Sequence, residues 1–311
     1  MGSGFVSVLL VMAAAAAVYC YAPRAVTMEF LQPRTWADAL AAKAENPAAL
    51  PIAGGTDVMV DLNFDRVRPA ALLDLTGVEE LIHWEMDGGR IRLGAGVTYS
   101  RVIAELRALL PALAVASRTV GSPQIRNRGT VGGNLGSASP AGDAHPPLLA
   151  GDAVVEVESV RGPRMVPIHE FFTGVKQNAL EPDELIKAVL VPTAGGPQEF
   201  AKIGTRNAMV IAVTSFAVAL DPDERRVGTG IGSAAPTPRR AAAAEQYAAE
   251  ALDWDGRGPI PDEVSVRFGG LVADAAAPID DVRGTATYRL HSLTVLARRT
   301  LGWAWSSYRR A

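Results

Sequence analysis

From Met28 onward the chain alternates between two apolar periods: short runs ending in glycine or proline, and stretches with apolar residues every third and fourth position. EFLQP predicts a short strand. TWADALAAKAE predicts a helix, with Trp36, Ala39, Leu40 and Lys43 on one face and Thr35 as its cap. ALPIAGG predicts a buried strand running into glycines, PAALLDLTG another, and GRIRLGAGVTY a third before a second glycine turn. SRVIAELRALLPALAVAS has the spacing of one amphipathic helix. The segment from Arg118 to Gly151 reads as loop-rich. DAVVEVESV predicts an alternating strand, GPRMVPIHEFF follows it, and EPDELIKAVLVP reads as a turn and an edge strand ending at proline.

TAGGPQ, at 193–198, is rich in glycine and proline and suggests a boundary. Beyond it, FAKIGTRNAM, IAVTSFAVALD and RRVGTGIGSAAPTPRR predict strands and a turn. AAAAEQYAAEALD and ATYRLHSLTVLARRTLGWAW predict helices. The expected division is a hydrophobic extension over 1–27, an α+β unit over 28–195 split into two subdomains near 85, and a second α+β unit over 196–311. At 311 residues the chain is long enough for two or three domains.

Net charge is −3, too small and of the wrong sign for a nucleic-acid footprint. The single cysteine, Cys20, excludes an internal disulfide and a cysteine-ligated iron–sulfur cluster on this chain. The four histidines show no metal-ligand spacing, so no metal site is expected and a redox role needs an organic cofactor or a partner. FVSVLLVMAAAAAVYCYA, from Phe5 to Ala22, is about long enough to cross a thin bilayer. An extension outside the folded domain, a signal-peptide core and a membrane anchor all account for it. No arginine or lysine precedes it, and the lone cysteine argues against an exported, disulfide-built product. The expectation is a cytoplasmic protein with the segment outside its fold.

Two stretches carry candidate chemistry. In PIAGGTDVMVD, residues 51–61, a strand ends in Gly54-Gly55, followed by Thr56 and Asp57. Glycines let successive N–H groups turn toward a ligand, and such a turn makes an anion-binding concavity. The spacing is not G-x-G-x-x-G and no helix is predicted to open there, so the Rossmann fingerprint is absent. A tight β-turn without ligand also accounts for it. In RGTVGGNLGSASPAGD, Gly132 and Gly133 expose backbone, and Thr130 and Asn134 offer polar side chains. Ser137 and Ser139 suit a phosphate or a sugar, and Asp143 suits a ribityl or ribose hydroxyl. A structured Ω-loop without ligand is the plain alternative. Two donor-rich loops about eighty residues apart favour a dinucleotide lying between them.

AGGTDVMVDL, LGAGVTY and above all QIRNRGTVGGNLGSASPAGDAHPPLLA resemble the FAD-binding (medium) subunits of molybdenum hydroxylases of the xanthine dehydrogenase and carbon monoxide dehydrogenase type. The resemblance runs from Met28 to the closing helix, ATYRLHSLTVLARRTL. It implies an α+β fold: a vanillyl-alcohol-oxidase-type FAD-binding domain of two α+β subdomains, then a smaller C-terminal α+β domain. It further implies that Pro51, Ile52, Ala53, Gly54, Gly55, Thr56, Asp57 and Val58 form a first pyrophosphate loop. Thr130, Val131, Gly132, Gly133 and Asn134 would form a second. Asp143 would meet the ribityl chain, Val120 and Gly121 would flank the flavin, and Ile186 and Lys202 would supply an apolar and a basic contact near the isoalloxazine. No residue of the chain is expected to act as a proton-transfer catalyst.

In such a family the chain carries FAD between the [2Fe–2S] clusters of a small subunit and an outside acceptor, NAD, a quinone or oxygen. A large molybdopterin-binding subunit oxidises an aldehyde, purine or similar heterocycle, and dimers of heterotrimers are common. Two other accounts are a self-contained flavin oxidase and a flavin-free binding homologue. The first needs more substrate-facing chemistry than His291 offers, and the intact glycine loops argue against the second.

Overall fold

The computed structural model describes residues 28–311; the apolar segment Phe5 to Ala22 lies outside the described residues. Strand β1 (Glu29–Leu31) leads to helix α1 (Trp36–Glu45), and β2 (Leu50–Ile52) to a six-residue helix α2 (Val58–Asn63) and β3 (Ala71–Asp74). The three strands form a parallel sheet in the order β1-β3-β2. Thr35 caps α1 by accepting the Asp38 N–H at 3.1 Å, as its position predicts. Trp36, Ala39 and Leu40 are buried, and the two larger side chains each contribute roughly 1.5–3 kcal/mol of apolar burial.

A second, antiparallel sheet has the order β4-β5-β10-β6-β7. Its strands are β4 (Trp84–Asp87), β5 (Arg90–Gly94), β6 (Val154–Ser159), β7 (Gly162–Pro167) and β10 (Leu185–Pro192). The last is central, not the edge strand its closing proline suggests. Pro192 ends the strand and leaves both flanks of 185–191 free to pair. The small hairpin β8 (Phe172–Gly174) and β9 (Gln177–Asn178) follows α8 (Ile168–Phe171). One apolar core runs through both sheets, from Trp36 and Leu73 to Leu135, Val155 and Val189.

The expected single helix over 100–117 is two: α3 (Tyr99–Glu105) and α4 (Pro111–Thr119). Pro111 lacks an N–H and collides with a preceding turn, so it starts a helix rather than continuing one. The segment expected to be loop-rich holds three more short helices: α5 (Pro123–Arg128), α6 (Val131–Ser137) and α7 (His145–Ala150).

The last third folds on β11 (Gln198–Ile203), β12 (Thr214–Asp221) and β13 (Arg226–Gly232), an antiparallel sheet with its own core. Three helices cover it: α9 (Ala242–Ala251), α10 (Asp262–Asp274) and α11 (Ala286–Arg310). The pattern DEVSVRFGGLVAD had not stood out as a helix. Gly269 within it lets α10 approach the Thr294 carbonyl, where a Cβ would sit 2.9 Å away. Buried Arg289 on α11 ties the sheet together by donating to the Val213 carbonyl at 2.8 Å and to the Ser233 carbonyl. The two halves interlock through small residues. Ala112, Ala116, Ala150, Phe200 and Ala217 form one cluster, and α7 lies directly on Gly228 and Gly230 of β13.

Candidate cofactor site

The two glycine loops meet. A Cβ on Gly54 would overlap the Arg128 carbonyl and come within 2.9 Å of the Gly129 Cα, so only glycine permits this approach. Gly55 follows with φ +74°, a left-handed conformation that glycine adopts at no steric cost. From the second loop, the Ser137 hydroxyl donates to the Asp57 carboxylate at 2.9 Å. Gly133 faces Ala53, whose Cβ is 3.8 Å from where a Gly133 Cβ would lie.

The loops differ in what they offer. Among the described residues, no N–H from Ala53 to Val58 has a protein acceptor. A run of main-chain donors on a half-exposed turn suits an anion. A helix does open at Val58, against expectation, and it leaves these donors at its head. The second loop is also a helix start, and its donors are taken. Thr130 caps α6 by accepting the Gly133 N–H at 2.9 Å. Val131, Gly132 and Asn134 donate to the carbonyls of Val97, Ala95 and Thr130. Gly132 is there because a Cβ would fall 2.5 Å from that of Ala95. The expectation that Gly132 and Gly133 present main-chain donors is therefore corrected. What they present is a surface without side chains, which at Gly133 comes close to Ala53.

Seven buried side-chain polar atoms among the described residues lack a partner, and four surround this second loop: Tyr99 Oη, Asn134 Oδ1, Asp143 Oδ1 and His145 Nδ1. Native interiors leave few such atoms unpaired, so their concentration marks a place where something outside the chain completes the bonding.

Asp143 and Lys202 form a buried ion pair of 2.6 Å, each side chain 9% exposed. The other Lys202 protons go to the carbonyls of Thr119 at 2.9 Å and Val210 at 3.1 Å. The Thr119 hydroxyl donates to the same Asp143 oxygen at 3.2 Å. Burial pushes the Asp143 carboxyl above its ordinary range, against the pull of Lys202 and Thr119. The ammonium is thus neutralised within the fold, and Asp143 keeps one oxygen, Oδ1, free. Val120 and Gly121 form a turn held by Arg126, whose guanidinium donates to their carbonyls at 2.9 and 3.0 Å. Ile186, buried on β10, lies beneath α6 at Gly136.

Sequence reasoning passed over Tyr99, His145 and Arg126. Tyr99 is 2% exposed, and its N–H donates to the Gly129 carbonyl at 3.1 Å. His145 donates from Nε2 to the Asn134 carbonyl at 3.2 Å and packs on Phe172, and burial pushes its imidazole down to about 4. A cleft of about 600 Å3 lies elsewhere, lined by Arg225, Arg226, Arg240 and Glu245. Its arginines are already paired with Asp255, Asp152 and Glu245.

Free main-chain donors on one wall and a bare surface on the other suit a diphosphate, and together with the sheets they define a dinucleotide-binding protein that works without a Rossmann helix. Residues 26–194 match the family described as FAD binding domain in molybdopterin dehydrogenase, and residues 199–304 match the CO dehydrogenase flavoprotein C-terminal domain. The chain is 32% identical over 283 residues to the xanthine dehydrogenase FAD-binding subunit of Escherichia coli O157:H7, covering 87% of this chain and 93% of that one. It is 36% identical over 211 residues to the nicotinate dehydrogenase FAD-subunit of Eubacterium barkeri, covering 65% and 71%. Its fold matches a chain of reconstituted CO dehydrogenase from Oligotropha carboxidovorans with a TM-score of 0.83 and 27% identity, covering 90% and 98%. The chain belongs to the FAD-binding medium subunits of the molybdenum hydroxylase family, a family of oxidoreductases, and its cofactor is FAD.

Proposed function

We propose that this chain relays electrons, with FAD held between the two glycine loops. The free N–H groups from Ala53 to Val58 bind the diphosphate, and the side-chain-free surface at Gly133 borders it from the other side. Thr56, Asn134 and Ser137 complete the polar wall. Asp143 accepts from a ribityl hydroxyl through its free oxygen. Val120, Gly121 and Ile186 border the ring. Lys202 acts by holding Asp143 in place rather than by facing the flavin directly. When bound, the flavin supplies the redox chemistry that links one-electron carriers to an external acceptor. The protein's part is to place that group and to set its electrostatic surroundings.

The electrons come from [2Fe–2S] clusters on a separate small chain, because one cysteine cannot ligate a cluster. They originate at a large molybdopterin-binding subunit that oxidises an aldehyde, purine or similar heterocycle, and they leave to NAD, a quinone or oxygen. Relatives named for xanthine and nicotinate support the heterocycle class. The division into 28–195 and 196–311, the cytoplasmic location and the dimer of heterotrimers belong to the same reading.

The single observation that carries it is the run of unpartnered main-chain donors facing a side-chain-free surface. The experiment is purification of the complex from its host under native conditions. A yellow protein accompanied by a cysteine-rich small chain and a large molybdoprotein, with flavin bleached on adding a heterocycle, supports the relay. A colourless chain that purifies alone overturns it.

A further inference from the structure

Tyr99 stands where the two glycine loops touch. Its backbone N–H is bonded to the Gly129 carbonyl, and its ring edge lies 3.4 Å from where a Gly129 Cβ would be. The Thr56 hydroxyl of the first loop reaches the same point, at 3.5 Å. The preceding residue, Thr98, is bridged to Thr130. The residue is therefore anchored by its backbone and by its ring contact at Gly129, and its hydroxyl is buried with no protein partner.

A buried phenol without a partner costs stability, and a leucine or phenylalanine would fill the same volume without that cost. From this geometry we infer that Tyr99 is an FAD ligand, its hydroxyl donating to an oxygen of the diphosphate–ribityl stretch that lies between the loops. The inference rests on the placement of FAD given above. Burial pushes the phenol well above its ordinary range, and the carboxylates of Asp143 and Asp57 add to the shift, so the hydroxyl keeps its proton and acts only as a neutral donor. The second loop cannot supply this bond, because the N–H groups at the start of α6 are already taken.

Tyr99→Phe removes the hydroxyl and keeps the ring, so packing against Gly129 survives. Flavin-free full-length protein is titrated with FAD, and binding is read by quenching of flavin fluorescence. The melting temperature of the flavin-free protein is measured alongside. The expected result is an FAD Kd raised about tenfold, with the melting temperature of the flavin-free protein equal to or above that of the parent. A Kd within twofold of the parent overturns the inference, because a buried water or nothing at all then partners the hydroxyl. A weakened Kd accompanied by a lower melting temperature of the flavin-free protein also overturns it, because the hydroxyl is then structural. Gly133→Val separates this inference from the placement beneath it. If Gly133→Val loses FAD while Tyr99→Phe binds normally, only the tyrosine assignment fails. If Gly133→Val binds FAD normally, the placement fails and takes the tyrosine with it.

Discussion

The Ser137 hydroxyl lies 2.9 Å from a carboxylate oxygen of Asp57 and donates to it, joining the end of α6 to the start of α2 across 80 residues of chain. The same hydroxyl is 3.0 Å from the Gly133 carbonyl, one turn back. The bond to Asp57 is a side-chain link between the two loops, beside the main-chain approach at Gly54.

Ser137→Ala removes this link without adding bulk. A hydrogen bond of this kind contributes about 1 kcal/mol, so FAD affinity is expected to fall about fivefold while the protein stays folded. Titration of the flavin-free variant checks this; affinity equal to the parent's means the loops are held apart by other contacts.

Glycines 54 and 133 are expected to fail in different ways. At Gly133 an added Cβ meets only the Thr130 hydroxyl at 3.0 Å and Ala53 at 3.8 Å, so Gly133→Val folds but fills the cofactor's space. It should purify colourless, with the ratio of flavin to protein absorbance near zero. At Gly54 the obstacle is main chain, so Gly54→Ala parts the loops and costs about 3 kcal/mol, seen in denaturant unfolding of the flavin-free protein.

Lys202→Met leaves Asp143 buried without its cation. Loss of one partner from such a pair costs about 3–5 kcal/mol near neutral pH. The Asp143 carboxyl is already raised by burial and rises further without the lysine. A folded carboxyl above its unfolded value binds protons more readily than the unfolded chain, so the variant regains stability relative to the parent as pH falls. Adding Asp143→Asn should recover most of the loss at pH 7. Urea unfolding at pH 7 and pH 5 measures both effects.

His145 makes acid a destabilising condition. Its folded value of about 4 lies below the ordinary 6.5, so the unfolded chain takes up a proton first as pH falls. Its contribution is intact above 6.5 and is lost on the way down to about 4. By pH 4.5 the loss is about 2–3 kcal/mol. His145→Gln should flatten the fall in melting temperature between pH 6.5 and 4.5, whatever its own stability at pH 7.

Between residues 28 and 95 the first strands and α1 were legible, though α2 was not, because apolar period and capping agree there: Thr35 caps where it should, and Trp36, Ala39 and Leu40 face the core. The family was legible from the glycine motifs. The short helices between Arg118 and Gly151 were hidden because α6 reads VGGNLGS, a poor helix by propensity, and forms because Thr130 caps it and Ala95 holds Gly132. The central place of β10 was hidden because a proline at a strand's last residue looks the same on an edge or in the middle. Asp143 and Lys202 were both singled out, yet their pairing joins a loop to a strand 59 positions away, which no local pattern records. Tyr99 looked like one more aromatic in an alternating strand end.

The cation for Asp143 arrives on β11, beyond the 193–198 seam between the two halves. Until residue 202 is in place, that carboxylate has no cation beside it within the fold. Cutting the chain at the seam would yield a front fragment that carries both glycine loops but lacks the cation that partners Asp143.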